Sequence, residues 1–410
     1  MSPDGNRMNL MDGMPPLPEK PIYLDNNATT RVAPEVLECM LPLLTEDYGN
    51  PSSMHSFGAR AGDALALGRE RIMALLGVEQ HNEIVLTAGG SESDNLAIVG
   101  TLRANPDKKH LITTSVEHPA VLGLCRELEK RHGYAVTYLK VDGEGRLDLQ
   151  ELRDSLREDT AIVSVMMANN ETGVLFDVEA IGAIVKENGA VFHVDAVQAA
   201  GKIPLDMGRS RAIDLLSISG HKLHGPKGVG ALFVRKGTKL RPLIVGGHQE
   251  RGRRAGTENV ASVVGFGKAS ELAAAGIEHE NTVVRAMRDH LENRLLAAIP
   301  DSRLNGQKDN RLPNTCNIAF SYVEGEGILL LLDRVGVAAS SGSACTSGSL
   351  EPSHVLRAMG IPLTLAHGST RFSLSRYNSM QEMDYVAEVL PPIIERLRMI
   401  SPFNEKRANF

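Results

Sequence analysis

Short, largely apolar runs that alternate with longer stretches of helical period constrain this chain more than any other feature. Glu83–Thr87, His110–Ser115, Ala161–Met166, Ala190–Asp195, Leu215–Ser219 and Gly230–Val234 lack a clean polar alternation, and each is bounded by Gly, Pro or polar residues. Strands of that kind are covered on both faces, and the helices that cover them lie between them in sequence. The pattern therefore reads as βαβ units around a parallel sheet, an α/β fold. From Pro119, residues Val121, Leu124, Cys125 and Leu128 recur at helical spacing, with Pro at the first position and Gly133 beyond the end, which predicts an amphipathic helix.

After about Gly276 the pattern changes to a long charged helix, Glu278 to about Ile299, then a strand at Thr315–Phe320. A terminal helix follows, in which Val386, Val389, Leu390, Ile393, Ile394 and Leu397 form one stripe. We read a flexible lead-in over residues 1–20, a large domain over 32–276, and a smaller α+β domain built from 21–31 and 277–410.

Composition narrows the function. With 42% hydrophobic and 23% charged residues and no apolar run long enough to span a bilayer, no membrane association is expected. Lys+Arg 44 against Asp+Glu 50 leaves a net charge of −6, and aromatics are only 4% with no Trp, which argues against a nucleic-acid binder. Cys39, Cys125, Cys316 and Cys345 are too scattered for a disulfide scaffold or a zinc site. The first residues lack a signal-peptide pattern, so a cytoplasmic enzyme acting on a small molecule is expected.

Several apolar runs end abruptly in polar residues. Ser219-Gly-His221-Lys222 places a lysine at the carboxyl end of a strand, where α/β proteins bind ligands and where partial burial makes an amine a nucleophile towards an aldehyde. Asp195 closes another strand and could pair with a pyridinium nitrogen, although it also suits a helix cap. Gly90 and Ser91 open a helix after a strand and could cradle a phosphate; an ordinary cap by Ser91, with Asp94 in the first turn, is the alternative. His118 before Pro119 could lie on a cofactor ring or be a satisfied turn histidine, and Asn170 ends a further strand. Cys125 and Cys316 fall on apolar faces, and Cys39 reads as core packing in the helix Glu35–Leu41. Cys345 stands apart in a Gly/Ser run, Ala338–Ser349, where an exposed thiolate could attack sulfur.

Taken together, Ser219–Lys222, His193-Val-Asp195 through Gln198, Glu117-His118, Asn169-Asn170-Glu171 and Ser340–Cys345 resemble the class V aminotransferase superfamily. More narrowly they resemble the cysteine desulfurases, with the stretch Ser340–Val355 looking closest to the nitrogen-fixation (NifS-type) branch. The resemblance runs from about Ile22 to Pro402. It implies a type I pyridoxal 5′-phosphate fold with a mostly parallel seven-stranded sheet, and a homodimer. Lys222 would carry the cofactor, Asp195 would meet the ring nitrogen, and Gln198 and Asn170 would meet the ring hydroxyl side. His118 would stack on the ring. Gly90, Ser91, Ser219 and His221 would hold the phosphate, with Thr257 reaching in from a partner subunit.

Arg371 would clamp the substrate carboxylate, with Asn170 beside it, and the segment Asp25–Thr30 would line the substrate side. Lys222 would move the α-proton and His118 the thiol proton. The implied reaction turns L-cysteine into L-alanine and leaves a persulfide on Cys345, for an iron–sulfur scaffold protein (NifU- or IscU-like) as acceptor, in a nitrogenase-related pathway. Cys345 would be the one metal-site residue, as a transient iron–sulfur ligand shared with the scaffold. The competing readings are another pyridoxal-phosphate lyase or aminotransferase, such as a selenocysteine lyase, and a non-catalytic scaffold-binding protein of the same fold.

Overall fold

The computed structural model describes residues 13–341 and 352–401. Strand β1 (Ile22–Tyr23) precedes β2 (Ile84–Thr87), β3 (His110–Thr114), β4 (Ala135–Leu139), β5 (Thr160–Met166), β6 (Val191–Asp195), β7 (Leu215–Ser219) and β8 (Gly230–Val234). Then come β9 (Ser302–Leu304), β10 (Thr315–Phe320), β11 (Val337–Ala338) and β12 (Ser369–Ser373). The main sheet has seven strands in the order β2-β8-β7-β6-β5-β3-β4. Strand β8 is antiparallel to both its neighbours, and every other pairing is parallel. The carboxyl ends of the other six therefore open on one edge, which is where ligands bind in such sheets.

Strands β3, β5 and β7 are buried along their whole length. Alternate residues belong to two different cores. Ile112, Val163 and Leu216 pack on one face, and Leu111, Ile162 and Leu215 on the other. Each fully buried side chain of this size contributes about 1.5–3 kcal/mol.

The expected helix at Pro119 spans Pro119–His132, with His118 at its N-cap, three basic residues in its last turn, and Gly133 in the left-handed conformation at φ 69°. Strand β4 was not anticipated from the sequence. It is an edge strand whose first four residues are only half-buried, with Val136 and Tyr138 alternating onto one core.

The region beyond Gly276 differs in one detail from the sequence expectation. A helix over Val260–Ala275 continues through Gly276, which keeps right-handed helical angles, into a π-helical segment at Glu280–Val284 and then a helix over Arg285–Ala298. By length and composition this run could cross a bilayer. Its apolar residues Val263, Phe266 and Ala269 are instead buried in the core of the large sheet. A third core joins Ile22 and Leu24 to residues of this later region, among them Leu291, Ile318, Phe372 and Ile393. There β12, β10 and β9 form an antiparallel sheet and β1 pairs with β11. Bridges from Asp25 to Ser373 and from Ser340 to Arg371 bring distant segments onto β12. The final helix, Met380–Ile400, starts in a Ser379/Glu382 capping box.

Candidate active site

At the carboxyl edge of the main sheet lies a cavity of about 190 Å³. Gly90, Ser91, His118, Asn170, Asp195, Gln198, Ser219, His221 and Lys222 all line it, although they come from five separate segments. Two of the residues singled out in the sequence stand elsewhere. Arg371 is buried beside the cavity, where its Nη1 donates to the carbonyl of Asn170 at 2.8 Å. Thr257 is exposed and does not line the cavity of its own chain. Cys345 lies outside the described residues.

Lys222 sits in the short helical turn Gly220–Lys222 after β7. Its Nζ donates to the carbonyls of Asn27 and Ala28, the latter at 2.8 Å. Burial, with Arg371 and Lys202 nearby, pushes its pKa down to about 7 against the opposing pull of Asp195 and Asp25. A large fraction of the amine is therefore neutral and nucleophilic near pH 7.

Asp195 ends β6, and one carboxylate oxygen accepts the Val197 N–H at 2.9 Å. It thus caps the following turn and lines the cavity at once. Burial raises its pKa to about 6, while that hydrogen bond and Lys222 favour the anion. His118 likewise serves two purposes. Its Nδ1 accepts the Ala120 N–H at 3.1 Å, which leaves the proton of the neutral ring on Nε2. Burial, with Lys222 and His354, lowers its pKa to about 4, so the ring is neutral at physiological pH.

The helix Gly90–Ala104 has Gly89 as its N-cap and no side chain bonded to that cap. Ser91 is therefore not the cap, and its hydroxyl is exposed at the first turn. Gly89 has φ 150° and ψ −176°, a region open essentially to glycine alone. The Glu92 carboxylate accepts the Ala88 N–H and pairs with Arg254, which ties the Arg254–Thr257 loop to this helix start.

Three further features were not read from the sequence. Asp94, from the same helix, lines the cavity while fully buried. Its signal was its place on the helix stripe with Ala97 and Ile98, which a carboxylate occupies only under constraint. The carbonyl of Asn27 also accepts from Gln198 Nε2 at 2.9 Å, and backbone atoms leave no trace in a sequence. Finally, Arg371 Nη2 pairs with Asp25 Oδ1 at 2.7 Å across 346 positions. Around the cavity His354 Nε2 donates to the carbonyl of Glu117 at 2.9 Å, and Ser353 Oγ bonds Glu171 Oε2. The chain on the far side of residues 342–351 is thus anchored next to His118. Among the described residues no cluster of three or more His, Cys, Asp or Glu could hold a metal ion.

Polar atoms left without partners suit an aldehyde-bearing phosphorylated pyridine. Ser219 Oγ and Gln198 Oε1 are buried without hydrogen bonds, the helix start at Gly90 is uncapped, and a weakly basic lysine faces an aspartate. Fold and site together define an enzyme that works through a lysine-bound cofactor at the switch edge of an α/β sheet.

The Aminotransferase class-V family model matches residues 22–386, and the chain belongs to that family. Its members depend on pyridoxal 5′-phosphate, which the residues above fit. "Cysteine desulfurase 1" of Trichormus variabilis is 60% identical over 389 residues, covering 95% of this chain and 96% of that protein. "Cysteine desulfurase NifS" of Azotobacter vinelandii is 58% identical over 382 residues, covering 93% and 94%. Among solved structures, a "NIFS-LIKE PROTEIN" superposes with a TM-score of 0.86 at 38% identity, covering 92% of this chain and all of that one. "SspA in complex with cysteine" gives 0.76 at 36% identity, covering 87% and 100%.

Proposed function

We infer that the protein is a pyridoxal-phosphate-dependent cysteine desulfurase, which takes sulfur from L-cysteine, releases L-alanine and holds the sulfur as a persulfide on Cys345. One observation carries the reading: the cavity that joins a weakly basic Lys222, the buried Asp195 and neutral His118 belongs to a chain 58–60% identical over nearly its whole length to cysteine desulfurases.

Bound pyridoxal phosphate supplies an aldehyde for the substrate amine and an electron sink that weakens the substrate's carbon–sulfur bond. The remaining work falls to the chain. Arg371 holds the substrate carboxylate, for which its guanidinium has a planar fork and an unbonded buried Nε. Asn170 borders the same corner. Asp195 would hold the ring nitrogen protonated, Lys222 removes and returns the α-proton, and His118, with its proton on Nε2 and its Nδ1 taken by the Ala120 N–H, offers a donor to the cavity. The Cys345 thiolate attacks the substrate sulfur, forming a sulfur–sulfur bond as the carbon–sulfur bond breaks. The carbon keeps the electron pair and gains a proton, so the balance closes with no outside oxidant.

Further parts of the reading are supported more broadly. Leu37, Leu41 and Leu44 form an exposed stripe on the helix Pro34–Thr45, which favours a homodimer, and Thr257, exposed and away from the cavity of its own chain, suits entry into a partner's site. The core that groups Ile22 and Leu24 with residues beyond 280 supports a small domain made of 21–31 and 277–410. The NifS relatives favour an iron–sulfur scaffold acceptor and a nitrogenase-related pathway, and unpaired thiols suit a reducing cytoplasm. Incubation of the purified protein with L-cysteine tests the core of this. Alanine should appear with matching sulfur on the Cys345 peptide by mass, and Cys345→Ala should abolish both; alanine turnover retained in Cys345→Ala would sink the persulfide step.

A further inference from the structure

Three acidic side chains converge beneath the cavity: Asp94 from the helix Gly90–Ala104, Glu117 from the turn after β3, and Asp195 at the end of β6. All three are buried. Asp195 has the Val197 N–H and the nearby Lys222, and Glu117 Oε1 accepts from the Thr114 hydroxyl at 2.7 Å and the Met166 N–H at 3.0 Å. Glu117 Oε2 and Asp94 Oδ1 are both sealed from solvent with no hydrogen-bond partner, and burial raises the Glu117 pKa to about 8; Asp94 Oδ1 lies 3.7 Å from His193 Nε2. That imidazole is already bonded on both sides, Nδ1 to Ser164 Oγ at 2.8 Å and Nε2 to Ser217 Oγ at 2.9 Å.

A buried carboxylate with an unbonded oxygen and other carboxylates near it is strongly disfavoured, and such groups neutralise by keeping a proton. The groups that face Asp94 are His193 and Asp195 on β6, Ser217 on β7, and Glu117. The two acids disfavour its ionisation, the Ser217 hydroxyl eases it, and burial outweighs both. His193 could take the proton instead, but burial lowers its pKa to about 3, so the proton stays on the acid.

We propose that Asp94 is a positioning residue held as a neutral acid, which leaves Asp195 as the anion at the ring nitrogen and lies against the hydrogen-bonded His193–Ser217 pair behind it. The inference rests on the role of Asp195 given above, and its value to the protein is direct. A second anion in the same corner would divide the attraction that Asp195 exerts on a cationic ring and would make the ionisation of both depend on each other. An acid side chain in its neutral form supplies a donor in this corner without adding charge.

Two measurements test it. In apoprotein carrying carboxyl-13C aspartate, assigned through the backbone, the Asp94 carboxyl carbon should keep its protonated shift across neutral pH; an ionised shift there overturns the proposal, and no variant is needed. In the holoenzyme, the pH midpoint of the cofactor absorbance should move by less than about 0.3 unit in Asp94→Asn, which preserves a neutral hydrogen-bonding head. Loss of a real charge would move it by about one unit or more. A shift of that size in Asp94→Asn overturns the proposal. Asp195→Asn is the control that separates the two ideas: if it leaves the midpoint unmoved, the role given to Asp195 fails, while the carboxyl shift still reads the state of Asp94.

Discussion

Lys222 shows how a residue's surroundings, more than its type, set its chemistry. Its amine would titrate near 10.5 in an open chain, but burial and the cations Arg371 and Lys202 bring it to about 7. The sign is that of a depressed base: the folded protein holds fewer protons on this group than the unfolded chain between about pH 7 and 10.5. In the apoprotein, the rate at which an acylating reagent labels Lys222 should therefore rise with pH about a midpoint near 7, whereas exposed lysines should not respond until far higher pH. Peptide mapping across a pH series measures this, and a midpoint near 10 would contradict it. Lys222, Asp195 and His118 were legible in the sequence because each ends or directly follows a strand, where a polar group after an apolar run stands out. Asp94 was not, because on a helix an isolated acid resembles an ordinary first-turn residue until its neighbours are placed around it.

At the scale of elements, the start of the helix Gly90–Ala104 depends on one close backbone approach and one conformation peculiar to glycine. A Cβ on Gly230 of β8 would lie 2.7 Å from the backbone of Gly89, so the reversed strand fits tightly behind the loop that opens this helix. Gly89 itself adopts angles that an L side chain resists. Gly89→Ala should cost about 1–3 kcal/mol in urea unfolding and weaken cofactor binding more than it weakens the fold elsewhere. Equilibrium dialysis of the cofactor beside the unfolding curve would show the two losses, and unchanged cofactor affinity would contradict the role given to the loop. The parallel sheet was readable because its inner strands are continuously buried. The edge strand β4 was not, since the alternating Tyr134, Val136 and Tyr138 are only partly buried, and the π-helical turn at Glu280–Val284 has no hydrophobic period of its own.

For the whole molecule, the exposed stripe of Leu37, Leu41 and Leu44 has the spacing of a helix face that packs against something. Replacing Leu41 and Leu44 by Asp should shift the protein to monomers in sedimentation while leaving its far-ultraviolet spectrum intact, and should lower cofactor retention if Thr257 completes the partner's site. A dimer that survives both changes would place the interface elsewhere. The ion pair between Asp25 and Arg371 acts over the same long range, clasping the start of the folded chain to a strand near its end. The guanidinium that closes this clasp is also the one expected to receive an incoming carboxylate. To the extent that a ligand takes Nη2 from Asp25, ligation and the anchoring of the N-terminal segment compete for one group. By thermodynamic reciprocity each must then weaken the other by the same free energy, so the hold on the first strand reports how firmly a ligand is held.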